Sequence, residues 1–157
     1  NVLWGKFDFS ELQQMAFDAR EIEKYSLRYG DLLVCEGGEI GRAAIWKEAI
    51  PGMLYQKALH RLRPKTEDDI PEFMFHYLRY CAKRVVLEGV ATGTTIRHLP
   101  VEQLAELQLP FPPQQEQKEI AQALTAITDG IACIGERLNA AKKVKAQALL
   151  DAIAGER

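Results

Sequence analysis

No apolar run in these 157 residues reaches the roughly 18 needed for a membrane-spanning helix, so none is available. The chain opens on Asn1, Val2, Leu3 and Trp4 with no basic region ahead of an apolar stretch, which is not a signal peptide. A start without Met reads as a piece cut from a longer polypeptide. Cysteine is scarce: Cys35, Cys81 and Cys133 are an odd number at wide spacing, which fits neither a disulfide framework nor a C-x-x-C metal site. They read as small buried hydrophobes in a reducing cytoplasm, the expected location. The three histidines, His60, His76 and His98, are equally scattered, so no metal or other cofactor is expected. An excess of positive charge is also missing. Twenty Lys and Arg stand against 22 Asp and Glu, a net charge of −2, which argues against an indiscriminate nucleic-acid binder.

Phosphate contacts need only local charge, however. Arg42, Lys47, Lys57, Arg61, Arg63 and Lys65 face one acid, Glu48, across a stretch that carries most of the chain's basic asymmetry. Catalytic signatures are absent as well. There is no Asn-Pro-Pro-aromatic motif, no G-x-S-x-G, no P-loop and no glycine-rich cofactor loop after a first strand. Glu116 and Lys118 have the spacing of some nuclease strands but lie at a helix start without an upstream acid. The chain is therefore expected not to be an enzyme.

The order of elements predicts a mixed α/β or α+β fold: a small globular domain over 1–110 with a twisted sheet and short helices, then a long helix over 111–157. Asp18 and Glu21 form a capping box for a short helix to about Tyr25. Leu32–Cys35, Ala43–Trp46, Leu54–Leu62 and Leu107–Leu109 read as strands. Pro71 and Glu72 start an amphipathic helix to about Leu87, and Val101–Leu104 is a helical turn. After Pro113, Ile120, Leu124, Ile127, Ile131, Ile134, Leu138 and Ala141 alternate spacings of four and three, the seam of a coiled coil. A helix from Gln114 to Ile153 would be roughly 60 Å long at 1.5 Å per residue. Asp129-Gly130 is a place where it could kink, since Gly costs about 1 kcal/mol against Ala. Such a stripe either folds back on residues 1–110 or packs on another helix.

Three segments are candidates for nucleic-acid contact. In the loop from Glu36 to Arg42, Gly37, Gly38 and Gly41 let a backbone approach a groove, with Arg42 on a phosphate or base edge; a tight turn between strands is the plain alternative, and the two acids would repel a phosphate. In the Tyr55–Arg63 segment, Gln56, Lys57, His60, Arg61 and Arg63 include side chains that make bidentate contacts to adenine and guanine, against the ordinary alternative of a solvated face. Thr92, Gly93, Thr94, Thr95, Arg97 and His98 supply hydroxyls, a flexible backbone and cations suited to a phosphate cradle, or else a surface loop.

Together these residues resemble the specificity subunit of type I restriction–modification systems. Leu109-Pro-Phe-Pro-Pro-Gln-Gln-Glu-Gln-Lys-Glu-Ile-Ala-Gln-Ala-Leu124 is similar to that family's junction between recognition domain and helix. Tyr29–Trp46 is similar to its Gly-Asp-apolar strand and glycine-rich loop, and Gly93-Thr94-Thr95-Ile96 with Leu99 to its Gly-Thr segment. Pro100 departs, standing where the family often has Ser or Thr, so the helical turn after it starts differently. The resemblance implies a recognition domain that grips one half of a split target in double-stranded DNA. It also implies a helix that spaces, docks methyltransferase subunits and through them restriction subunits, and pairs with a second helix. A whole subunit has two of each part; this chain has one, as a half-subunit or fragment would, and so a second recognition half or a second copy is the expected pairing partner. The competing reading is a helical interaction scaffold without DNA specificity.

Overall fold

The computed structural model describes residues 1–84, 87 and 98–154. It is α+β, with a two-stranded and a three-stranded sheet, short helices and one long helix. The chain starts with a hairpin absent from the sequence reading, β1 (Val2–Leu3) and β2 (Lys6–Phe7), paired Val2 to Phe7 and Leu3 to Lys6. Its turn places Gly5 at φ +74°, a left-handed conformation that glycine adopts without a Cβ penalty. Helix α1 (Ala19–Tyr25) carries the expected capping box: Glu21 N–H donates to Asp18 Oδ1 at 2.8 Å, and Asp18 N–H to Glu21 Oε2 at 3.1 Å.

Strands β3 (Leu32–Cys35), β4 (Ala43–Ile45) and β5 (Leu59–Leu62) form an antiparallel sheet in the order β4-β3-β5. All four residues of central β3 are buried because both faces of the sheet are covered. Leu32 and Val34 point to one face, against Phe75, Leu78, Leu99 and Leu104; Leu33 and Cys35 point to the other, beside Val2 and Ala44. Such two-sided burial explains the unbroken apolar run Leu32–Cys35 in place of alternation. Each fully buried Leu or Val contributes about 1.5–3 kcal/mol.

Three expected strands differ. Leu54–Leu62 is a strand only from Leu59: Leu54 makes an isolated bridge to Ser26, and Leu59 N–H turns back to the Gln56 carbonyl at 3.1 Å. Leu107–Leu109 is not a strand, because its backbone groups go elsewhere. Leu107 N–H donates to the Leu104 carbonyl at 3.3 Å, and the Gln108 carbonyl accepts from the Tyr77 hydroxyl at 3.0 Å. The predicted strand over Ala43–Trp46 ends at Ile45, although Trp46 N–H still donates to the Asp31 carbonyl at 2.7 Å.

Helix α2 (Pro71–Lys83) has Pro in its first turn and buries Phe73, Phe75, His76, Leu78 and Cys81. Burial raises the Cys81 thiol above its ordinary pKa, partly offset by a hydrogen bond with Tyr77. Helix α3 (Val101–Ala105) follows Pro100, whose side chain makes no cap bond. Helix α4 (Gln114–Ala154) is a single helix of 41 residues, continuous through Gly130. One compact unit is Asn1–Ala121; the helix from Gln122 onward forms a second. The first turns of α4 belong to the first unit through Gln117, which is buried, accepts from Ile70 N–H at 3.3 Å and donates to the Pro112 carbonyl at 2.8 Å.

Candidate nucleic-acid interface

The loop between β3 and β4 is closed by its own backbone. Cys35 N–H donates to the Arg42 carbonyl at 2.8 Å, Gly41 N–H to the Cys35 carbonyl at 3.2 Å and Arg42 N–H to the Glu39 carbonyl at 3.1 Å. Its glycines do different work. Gly38 has φ +72° and open space where a Cβ would stand, whereas Gly41 has φ +76° and would place a Cβ 2.2 Å from Leu87 Cδ1. Gly41 therefore serves packing, and Gly38 leaves the loop tip open to solvent.

The other two candidate segments reach this loop through Ala58 and His98. Gly37 forms an antiparallel bridge with His98, and Leu99 N–H donates to the Glu36 carbonyl at 2.7 Å. Glu36 N–H donates to the Ala58 carbonyl at 3.3 Å, joining the turn that carries Gln56 and Lys57. His60 donates through Nε2 to the Leu99 carbonyl at 2.6 Å, so its ring links β5 to the returning chain. Gly38, Gln56, Lys57 and His98 are exposed, while Gly37, Arg42 and His60 are half-buried. Thr92, Gly93, Thr94, Thr95 and Arg97 lie outside the described residues.

The arginines of the basic stretch have unequal freedom. Arg63 donates through Nε to Asp31 Oδ1 at 2.6 Å and through Nη2 to Asp31 Oδ2 at 2.7 Å, with a further bond from Nη2 to the Ser26 carbonyl at 3.1 Å. Asp31 is fully buried and also accepts from Arg28 N–H at 2.8 Å. The hydrogen bond to Asp31 raises the Arg63 pKa above its ordinary value. Arg61 donates through Nη1 to the carbonyls of Lys24 and Ser26, both at 2.9 Å, and lies over the Tyr55 ring. Both side chains thus bind β5 to the end of α1. Arg42 is different: its ion pair with Glu39 is long, at 3.6 Å, and its buried Nε has no acceptor. Sequence reasoning missed Glu39 and Trp4, whose indole N–H donates to Glu39 Oε1 at 2.5 Å. Thirty-five positions separate the two, and no local pattern joins them.

On the sheet face that carries Leu33 a cavity of about 360 Å³ is lined by aromatics, among them Phe7, Phe9, Trp46 and Tyr55, and by Gln56. Among the described residues no group of three or more His, Cys, Asp or Glu side chains is placed to hold a metal ion, and no helix is long and apolar enough to cross a membrane.

The residues expected from their spacing to form a seam lie on α4. Ile120 is half-buried, whereas Leu124, Ile127, Ile131, Ile134, Leu138 and Ala141 are exposed, Ile131 to 67%.

The family model of the type I restriction modification DNA specificity domain matches residues 13–143. The chain belongs to that family. The match takes in the β3–β4 loop, β5, the junction around Pro112 and most of α4. This specificity domain is also 29% identical over 154 residues to a protein of Methanocaldococcus jannaschii described as the type I restriction enzyme MjaX specificity subunit. That alignment covers 90% of the chain and 34% of the relative, so the chain spans about a third of the relative's length. The sequence-based resemblance and the family match agree.

Proposed function

We propose that this specificity domain reads one half of a split target in double-stranded DNA and itself performs no chemistry. The observation that carries the reading is the convergence of the β3–β4 loop, the Gln56–Lys57 turn and His98 at one edge of the sheet. Residues 1–110 do the reading and residues 111–157 do the pairing. Gly37, Gly38, Arg42, Gln56, Lys57 and His98 form the contacting surface, extended by Thr92, Gly93, Thr94, Thr95 and Arg97. Gly41, His60, Arg61 and Arg63 hold that surface from behind, since their contacts are internal.

In the same proposal α4 spaces the domain, docks a methyltransferase subunit and, through it, a restriction subunit, and pairs along its exposed seam with a second recognition half or a second copy. The setting in this proposal is the cytoplasm. The test is selection of bound duplexes from a random library, with and without a methyltransferase subunit. A common half-site should emerge. Affinity for it should fall as salt rises, log K dropping by about 0.9 per phosphate neutralised for each unit of log salt. A flat salt response, or selected duplexes with no common sequence, would overturn the reading. The exposed seam favours one competing reading, a helical scaffold without DNA specificity, which predicts that no duplex is retained while the chain still self-associates.

A further inference from the structure

A carboxylate on a DNA-facing loop needs a reason. Beside phosphates, Glu39 would weaken binding through like-charge repulsion. Over a base edge it becomes useful, because the amino groups of cytosine and adenine are the donors of the major groove and a carboxylate is a pure acceptor. Glu39 is exposed, 56% of its side chain being accessible, and follows Gly38 at the open loop tip.

It is also held in place. Trp4 Nε1 donates to Oε1 at 2.5 Å, and Arg42 Nη1 stands 3.6 Å from Oε2. Trp4 is itself fixed from below by an edge-on contact with Phe75 of α2, ring centroids 6.2 Å apart. Each carboxylate oxygen has an engaged side and a lone pair left over. The Arg42 guanidinium is likewise only part used. Its Nε is buried and out of reach of a ligand, but its one ion pair, through Nη1, is long and leaves the terminal nitrogens with donors to spare, whereas Arg61 and Arg63 are committed to carbonyls and Asp31. A fixed acceptor and an arginine fork with donors to spare therefore stand side by side.

One base pair has the complementary pattern. Across the major-groove edge of G·C run guanine N7 and O6, both acceptors, then the cytosine N4 amino donor. Guanine O6 and cytosine N4 are bonded to each other, so they are about 2.9 Å apart, neighbouring groups that a donor and an acceptor 3.6 Å apart can span with a small side-chain adjustment. The arginine fork fits N7 and O6, and the carboxylate fits N4. An A·T pair alternates acceptor, donor, acceptor and ends in a methyl group, so the fork finds no two adjacent acceptors there.

We infer that Glu39 and Arg42 together read a single G·C pair of the target, with Trp4 as the positioning residue that holds Glu39. This rests on the proposed DNA reading. The experiment is library selection with the full chain as wild type, Glu39→Gln, Arg42→Lys and Trp4→Phe. Wild type should select one invariant G·C pair. Glu39→Gln and Arg42→Lys should both relax that same position, with discrimination falling roughly 5- to 150-fold, while the other positions hold. Trp4→Phe keeps the ring against Phe75 and removes the N–H, and should relax the same position to a smaller degree. If Glu39→Gln fails to melt as a folded protein, Arg42→Lys and Trp4→Phe decide the matter. Variants that keep the wild-type sequence, or that relax different positions, overturn the inference and leave the DNA reading standing. A wild-type chain that selects no common sequence overturns both.

Discussion

Asp31 is the residue on which the recognition domain's framework turns. Its carboxylate is buried at the start of β3 and receives two bonds from Arg63 and one from the Arg28 backbone. Arg63 stands at the end of β5 and also reaches Ser26, so one ion pair joins two strands and the exit of α1. Removing one partner of a buried pair leaves the other uncompensated, at a cost of roughly 3–5 kcal/mol. The Arg63 side chain keeps 29% exposure, which puts the change near the lower end. Asp31→Ala should thus destabilise the domain by roughly 3 kcal/mol, read as a lower urea midpoint; a midpoint unchanged from wild type would show that the pair contributes little. Charge and spacing, being local properties, make Arg61 and Arg63 candidates for DNA contact but do not reveal their internal bonds. Whether a cation meets solvent or a buried carboxylate more than thirty positions away depends on tertiary contacts.

At the scale of elements, the β3–β4 loop separates two uses of glycine that its letters do not distinguish. Gly38 and Gly41 both have positive φ, but only Gly41 faces an obstacle, Leu87. A left-handed non-glycine residue costs about 1–2 kcal/mol. Gly38→Ala should therefore lower stability by about 1 kcal/mol. Gly41→Ala should lower it by at least about 3 kcal/mol, since Leu87 must also move. Thermal denaturation of the two variants measures the difference, and equal losses would remove the packing role assigned to Gly41. Elements with strong periodic or capping signals, α1, α2 and α4, were legible because helix signals lie within a few residues of each other. Leu107–Leu109 was misread as a strand because a short apolar run does not show whether a partner strand is available.

For the whole molecule, a net charge of −2 coexists with a locally basic stretch from Arg42 to Lys65, and a long helix carries an exposed apolar stripe. Exposed Ile127, Ile131 and Ile134 side chains gain about 1.5–3 kcal/mol each if fully buried, which favours association of the helix. Ile131→Lys should abolish self-association of the chain, measured by sedimentation, without shifting its melting temperature more than a surface change does. A dimer that survives this substitution would show that the seam is not the contact.

Periodicity, caps and the Pro-rich junction were enough to reveal the α+β class, the long helix and the family, because each is written in residues close together along the chain. The meeting of Gly37 with His98, the burial of Asp31 against Arg63 and the Trp4–Glu39–Arg42 cluster were not legible in that way. Each joins positions brought together by pairing between distant segments, β3 with β5 for Asp31 and Arg63 and the loop with the returning chain for Gly37 and His98, and no local spacing encodes that pairing.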